Sequence, residues 1–303
     1  MLPTLILLSF AHAAPWPVEI TASLPQPPAE MAVYAVLSTD PYPRLAATQD
    51  AFGLSGPPIW SDYMGGIARV VDDHRFGWAF TDGGITFHDD SATDAEVPMH
   101  VRDADDLWAG ADALLMDLNL FDASLFDLSA LRITRSEATI TNPDGHTFGP
   151  WTTSQMAVYA YTLDGRDVFG PGGETTVEFD DRGVIAFSDA QRALDLAEVI
   201  TPDAPATAIR RWMDRAEDEH RWSVYRAYIH DVDRVRIDKV QLGYFAPAIG
   251  AGDPTIEPVY QIHGEMLGHD AQGRKVSVDL LWFEPVCVDR SIPSLHLFAP
   301  IAK

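Results

Sequence analysis

Two periodicities take turns along the chain. Short runs rich in Val, Ile, Tyr, Phe and Thr follow the two-residue period of strands, while a few stretches repeat at i, i+3, i+4 and i+7, the period of a helix face. Met31-Ala-Val-Tyr-Ala-Val-Leu37 opens the series as a strand. Leu45, Thr48, Gln49 and Phe52 then fall at helical spacing. Gly53 is their natural stop, because glycine accepts the left-handed backbone that ends helices. Ile67-Ala-Arg-Val-Val71 and Phe76-Gly-Trp-Ala-Phe80 read as paired strands around Asp72-Asp73-His74-Arg75. Ile85-Thr-Phe-His88 follows the tight-turn signal Asp82-Gly83-Gly84.

The clearest amphipathic helix runs from Asp103 to Asn119, with Leu107, Trp108, Ala111, Leu114, Leu115 and Leu118 on one face and Asp103 or Asp105 placed to cap it. Strands are predicted over Leu131–Ile140, Met156–Tyr161, Thr175–Phe179 and Val184–Phe187, punctuated by Asn142-Pro-Asp-Gly145, Asp164-Gly165 and Asp180-Asp-Arg-Gly183. Helices are predicted over Ala190–Val199 and Pro205–Trp222, then long strands over Arg234–Tyr244, Pro258–Leu267 and Lys275–Phe283. Between Val235 and Tyr244 the alternation shifts phase, which implies a bulge or a strand buried on both faces.

A helix followed by antiparallel strands, repeated, predicts an α+β fold. It would consist of two or three small modules, each a helix packed on an antiparallel sheet, over residues 31–100, 101–190 and 191–303. Residues 15–30, with Pro15, Pro17, Pro25, Pro27 and Pro28, form an extended linker or first edge strand. Ahead of them Leu2–Phe10 is an apolar run too short to cross a bilayer, followed by Ala11-His-Ala-Ala14. Apolar run and small-x-small motif together predict a secretory signal peptide over residues 1–14 and an exported product, periplasmic or extracellular. No later stretch is long and apolar enough for stable membrane insertion.

Charge changes the picture more than composition does. The 303 residues carry 45 acids, 33 of them Asp, against 18 Arg and 3 Lys, for a net charge of -24. Residues 15–100 hold 12 acids and 3 bases, residues 101–190 hold 16 and 5, and residues 191–303 hold 17 and 13. Such a balance excludes a nucleic-acid or anionic-membrane partner, which needs a basic surface to displace counterions. It also makes the nearly balanced last third the place to expect a partner face. The single cysteine, Cys287, excludes an intrachain disulfide and a cysteine-based zinc cluster; set between Val286 and Val288, it reads as a core thiol.

Local catalytic signatures are missing. His263 and His269 lie six residues apart, some 20 Å along a strand at about 3.3 Å per residue, too far to share an ion. His74 and His88, each beside two aspartates, read as polar turn residues. Asn142-Pro-Asp-Gly145 and Asp231-Val-Asp233 are oxygen-rich fragments without the continuation of a calcium loop. The chain has no Gly-x-Ser-x-Gly elbow, no Gly-x-Gly-x-x-Gly and no Walker loop; Gly170-Pro-Gly-Gly173 reads as a turn. No cofactor and no metal site are expected. Carboxylate-pair chemistry needs only two acids about 5 to 10 Å apart in a groove and no local motif, so a secreted glycosidase-like hydrolase stands as the enzyme alternative. Trp78, Trp108 and Trp212 fit ordinary core packing.

Three pieces carry a family likeness. Leu45-Ala-Ala-Thr-Gln-Asp-Ala-Phe-Gly-Leu-Ser-Gly56 is a short helix ending in Phe-Gly-Leu. Tyr161-Thr-Leu-Asp-Gly-Arg-Asp-Val-Phe-Gly-Pro-Gly-Gly173 leads into Val177-Glu-Phe-Asp-Asp-Arg-Gly183. Val240-Gln-Leu-Gly-Tyr-Phe-Ala is joined by Ile256-Glu-Pro-Val-Tyr-Gln-Ile-His-Gly264 and Val276-Ser-Val-Asp279. In outline these resemble PepSY-like modules and the exported regulatory proteins of the YycH/YycI type. The resemblance implies an exported, non-enzymatic protein that binds and modulates a protein or peptide partner. An exposed strand edge in residues 191–303 would add a peptide strand, with Tyr244, Tyr260 and Trp282 as partner-binding residues. A further alternative is an acidic envelope or structural protein that holds divalent cations loosely.

Overall fold

The computed structural model describes residues 16–62, 67–93, 100–120, 126–214, 228–251 and 255–290. The signal peptide expected over residues 1–14 and the end of the helix expected to reach Trp222 lie outside the described residues. Strands account for 53% of the structure and helix for 15%, so the protein is mostly β and the expected α+β modules of helix on small sheet do not form. The elements are β1 (Val18–Ile20), β2 (Met31–Val36), α1 (Tyr42–Phe52), β3 (Ile59–Ser61), β4 (Ile67–Asp72), β5 (Arg75–Phe80) and β6 (Ile85–Asp89). After them come α2 (Ala104–Asp117), β7 (Phe126–Thr141), β8 (Thr147–Leu163), β9 (Arg166–Phe169), β10 (Glu174–Asp180) and β11 (Gly183–Asp189). The last are β12 (Leu194–Ile200), α3 (Pro205–Asp214), β13 (Asp231–Phe245), β14 (Thr255–His269) and β15 (Lys275–Pro285).

These elements form two compact units. Unit 1 is built from the described residues of Met1–Tyr34, Leu196–Phe245 and Ile256–Lys303, and unit 2 from those of Ala35–Asp195 and Ala246–Thr255. In unit 1, β13 and β14 form a long antiparallel pair, β15 continues antiparallel on β14, and β1 lies parallel on β13. The phase shift near Val235 has its cause in register breaks at Val232/Arg234 and Ile237/Lys239, which are bulges. The stretch 190–199, read as a helix from its Ala, Leu and Glu content, holds instead the strand β12 paired with β2.

Unit 2 is an antiparallel sheet in the order β9-β8-β10-β11-β6-β5-β4-β3, with β7 on the other side of β8. Alternation divides its faces. Ala68, Val70, Ala79, Ile85, Phe87, Val177, Phe179 and Phe187 point to one side and are buried there with Ala157 and Tyr159. Helices α1 and α2 close that side with Leu45, Leu107, Ala111, Leu114 and Leu115. Phe52 stacks on Phe87 at 3.9 Å between ring centroids, and Trp108 meets Tyr159 edge-on at 5.1 Å. Each helix is bounded as its sequence dictates. Gly53 ends α1 at φ 61°, and the Asp103 carboxylate caps α2 by accepting from the Asp106 amide at 2.9 Å.

Candidate ligand groove

The opposite face of the unit 2 sheet carries the residues that alternation turns away from the helices. Register lines them up across the strands: Arg69 faces Trp78, Trp78 faces Thr86, and Thr86 faces Ser188. A neighbouring row sets Ser61 against Ile67 and Ile67 against Phe80. Over these rows lies a groove of about 500 Å³, completed by Pro171, Ala248 and Ile249. Volume and lining match the small-ligand sites of proteins, mostly apolar with a few polar groups. Ile67 and Phe80 are buried beneath it, whereas Trp78 keeps 37% of its surface exposed. The expectation that Trp78 is a core residue is therefore corrected: β5 places it on the face opposite α1 and α2.

One wall of the groove comes from far along the sequence and is clamped by a polar network. Arg192, almost wholly buried, donates from Nη2 to the carbonyl oxygens of Pro247 at 2.7 Å and Ala248 at 3.0 Å. Its charge is met by Asp82 at 3.5 Å. The Asp82 carboxylate also accepts from the Gly84 amide at 3.0 Å and the Gly250 amide at 2.9 Å. Gly84 is required here by packing, since a β-carbon at that position would collide with the Ile249 side chain. The wall is thus fixed from both ends.

Beneath the groove sits a second polar cluster, on the core side of β11. Asp189 is fully buried and accepts from the Thr175 hydroxyl at 2.6 Å and from the Tyr161 hydroxyl. Arg44 lies 3.5 Å from it, while donating to the Gly83 and Gln191 carbonyls. Burial raises the Asp189 carboxyl above its ordinary 3.8, against the pull of Thr175, Tyr161 and Arg44. Tyr161 is held well above its ordinary value, first by burial and then by the Asp189 charge, so its hydroxyl stays a donor. This cluster is closed to the groove and works as an internal fastening.

The groove lining contains no carboxylate, so the acid pair of the hydrolase alternative does not lie in it. Among the described residues no group of three or more His, Cys, Asp or Glu side chains is arranged to hold a metal ion. His74 Nε2 lies 3.6 Å from Asp73 in an exposed turn, as expected, whereas His88, expected in a turn, is an exposed residue of strand β6 with its Nε2 2.8 Å from Asp90. His263, half-buried on β14, is held below its ordinary 6.5 by burial first and by Lys239 next. Cys287 is half-buried, and burial pushes its thiol up, away from thiolate character.

The three residues expected to meet a partner lie inside unit 1. Tyr244 and Tyr260 are fully buried and Trp282 is 7% exposed. The Tyr244 ring packs against Tyr34 at 5.9 Å, and the Trp282 ring against Trp212 at 6.2 Å. The Tyr260 hydroxyl donates to the Asp203 carbonyl at 2.7 Å. Nearby, Arg211 of α3 bridges Glu284 and Asp203, each at 2.7 Å. The signal for the groove residues was available in the chain, as a polar or aromatic residue at alternate positions of Ile67–Val71, Phe76–Phe80 and Ile85–His88. The strand register and the arrival of Ile249 were not.

No family model matches the chain, and no curated protein matches it. Among solved structures it is similar to an uncharacterized protein from Eubacterium rectale ATCC 33656, at 10% sequence identity and a TM-score of 0.49, over 90% of each chain.

Proposed function

We propose that the chain is a non-catalytic binding protein and that the groove on unit 2 is its ligand site. The carrying observation is Trp78, a large aromatic left half in solvent between Arg69 and Thr86 and above a floor of buried Ile67 and Phe80. An exposed indole at the centre of an apolar groove with few polar groups is a recognition surface rather than reaction machinery. The groove brings no nucleophile–base pair and no acid pair to its lining.

A neutral solvatochromic dye, Nile red, tests this directly. Wild type is expected to bind it with a blue-shifted emission, and Trp78→Ala to weaken binding about tenfold or more while keeping the same far-ultraviolet circular dichroism. Equal binding by the two proteins would remove the groove from consideration. Turnover of a generic esterase, glycosidase or protease substrate above a heat-killed control would overturn the non-catalytic reading.

A further inference from the structure

We infer that the groove is anchored by charge and that its ligand is a small apolar monocarboxylic acid, a reading that rests on the groove being a ligand site. The argument starts from the arginines of unit 2. Of its nine arginines, Arg44, Arg75, Arg132, Arg182 and Arg192 are each paired with a carboxylate and Arg102 donates to the Asp180 carbonyl; of Arg69, Arg135 and Arg166, it is Arg69 that lines the groove. Arg69 is exposed on the groove and makes no ion pair or hydrogen bond with the described residues. Thr86, two strands away on the same row, presents a buried hydroxyl that also has no partner among the described residues. A guanidinium and a free hydroxyl flanking one indole form a donor set with no acceptor, and a buried donor left unmade is costly.

The charge of the ligand follows from the count of cations. A carboxylate takes two donors well, and a guanidinium meets it with paired N–H groups. A phosphate or sulfate ester brings a second charge or more acceptors, which one arginine does not satisfy on a chain of net charge -24. The body of the ligand follows from the rest of the lining, which apart from Ser61 and Ser188 is apolar, with Ile67, Phe80 and Ile249 its largest side chains after Trp78. Its size follows from the 500 Å³ volume, which suits a small molecule.

Calorimetric titration with octanoate, its amide octanamide and octyl phosphate, on wild type and Arg69→Met, tests the inference. Octanoate is expected to bind wild type about tenfold or more tightly than octanamide, and Arg69→Met is expected to erase that difference by weakening octanoate far more than octanamide. Arg69→Gln, checked for an unchanged melting temperature, replaces Arg69→Met should the latter fold poorly. Equal affinity for acid and amide in wild type overturns the anchor, as does tighter binding of octyl phosphate. Binding of an apolar tripeptide with a free carboxyl terminus, without binding of octanoate, moves the site to a chain end and overturns the small-acid assignment. In these three outcomes dye binding that depends on Trp78 would leave the groove standing as a ligand site, so the two failures are told apart.

Discussion

Asp189 shows how much a single side chain holds in unit 2. Its buried carboxyl is the shared acceptor for Tyr161 and Thr175 and sits within reach of Arg44, which in turn ties the Gly83 and Gln191 carbonyls. Asp189→Ala leaves those donors unmatched in the interior and is expected to cost about 3–5 kcal/mol. Asp189→Asn keeps the acceptor oxygen and should cost less. The two proteins also differ in their response to pH. The folded state holds the proton of Asp189 more tightly than the unfolded chain does, because burial raises its pKa above 3.8. A raised acid contributes most stability below 3.8 and loses it as pH rises through the folded-state value. Denaturant titrations across that window should therefore show wild type gaining on Asp189→Asn as pH falls. A constant difference, or one that shrinks toward acid, would refute the burial account. None of this was legible in the chain, where Ser188-Asp189 reads only as the polar end of a strand.

Elements were legible where pattern and propensity agreed. Helix α2 forms because six apolar residues share its face and Asp103 caps it. The turn Asn142-Pro-Asp-Gly145, weighed for calcium, folds as a hairpin turn, with the Gly145 amide on the Asn142 carbonyl at 2.9 Å and the His146 amide on the Asn142 side chain. Strand β12 was misread because Leu, Ala and Glu favour helices in isolation, and pairing with β2 overrides a preference worth less than about 1 kcal/mol per residue. The β7–β8 hairpin is longer than its sequence suggested. Its outer half, residues 147–154 of β8, pairs with β7 alone among the described residues and turns Ile140 and Phe148 toward solvent, 47% and 51% exposed. Ile140→Thr and Phe148→Thr should each alter unfolding free energy by no more than about 0.5 kcal/mol. A several-fold larger loss in urea titration would mean that this face is covered in solution.

At the scale of the whole molecule, charge acts on stability. A net charge of -24 repels itself in the folded state, and added salt shortens the reach of that repulsion to about 8 Å at physiological ionic strength. Melting temperature is expected to rise by a few degrees from 10 mM to 150 mM sodium chloride, read by differential scanning calorimetry, and a fall would point to ion pairs as the dominant electrostatic contribution. Charge along the chain was plain from the sequence, but it pointed to residues 191–303 for a partner face, whereas Tyr244, Tyr260 and Trp282 are enclosed in unit 1. The groove escaped that reading because its wall and its floor are distant in sequence. Ala246–Thr255 belongs to unit 2 although it follows the last strand of Leu196–Phe245 in unit 1. A nascent chain that has emerged only as far as Asp195 carries Arg192 and Asp82 but neither the Pro247 and Ala248 carbonyls that Arg192 clamps nor the Gly250 amide that Asp82 accepts from. At roughly 5–20 residues per second, several seconds of synthesis separate the two. The groove thus lacks one wall in the growing protein until most of its length has been made.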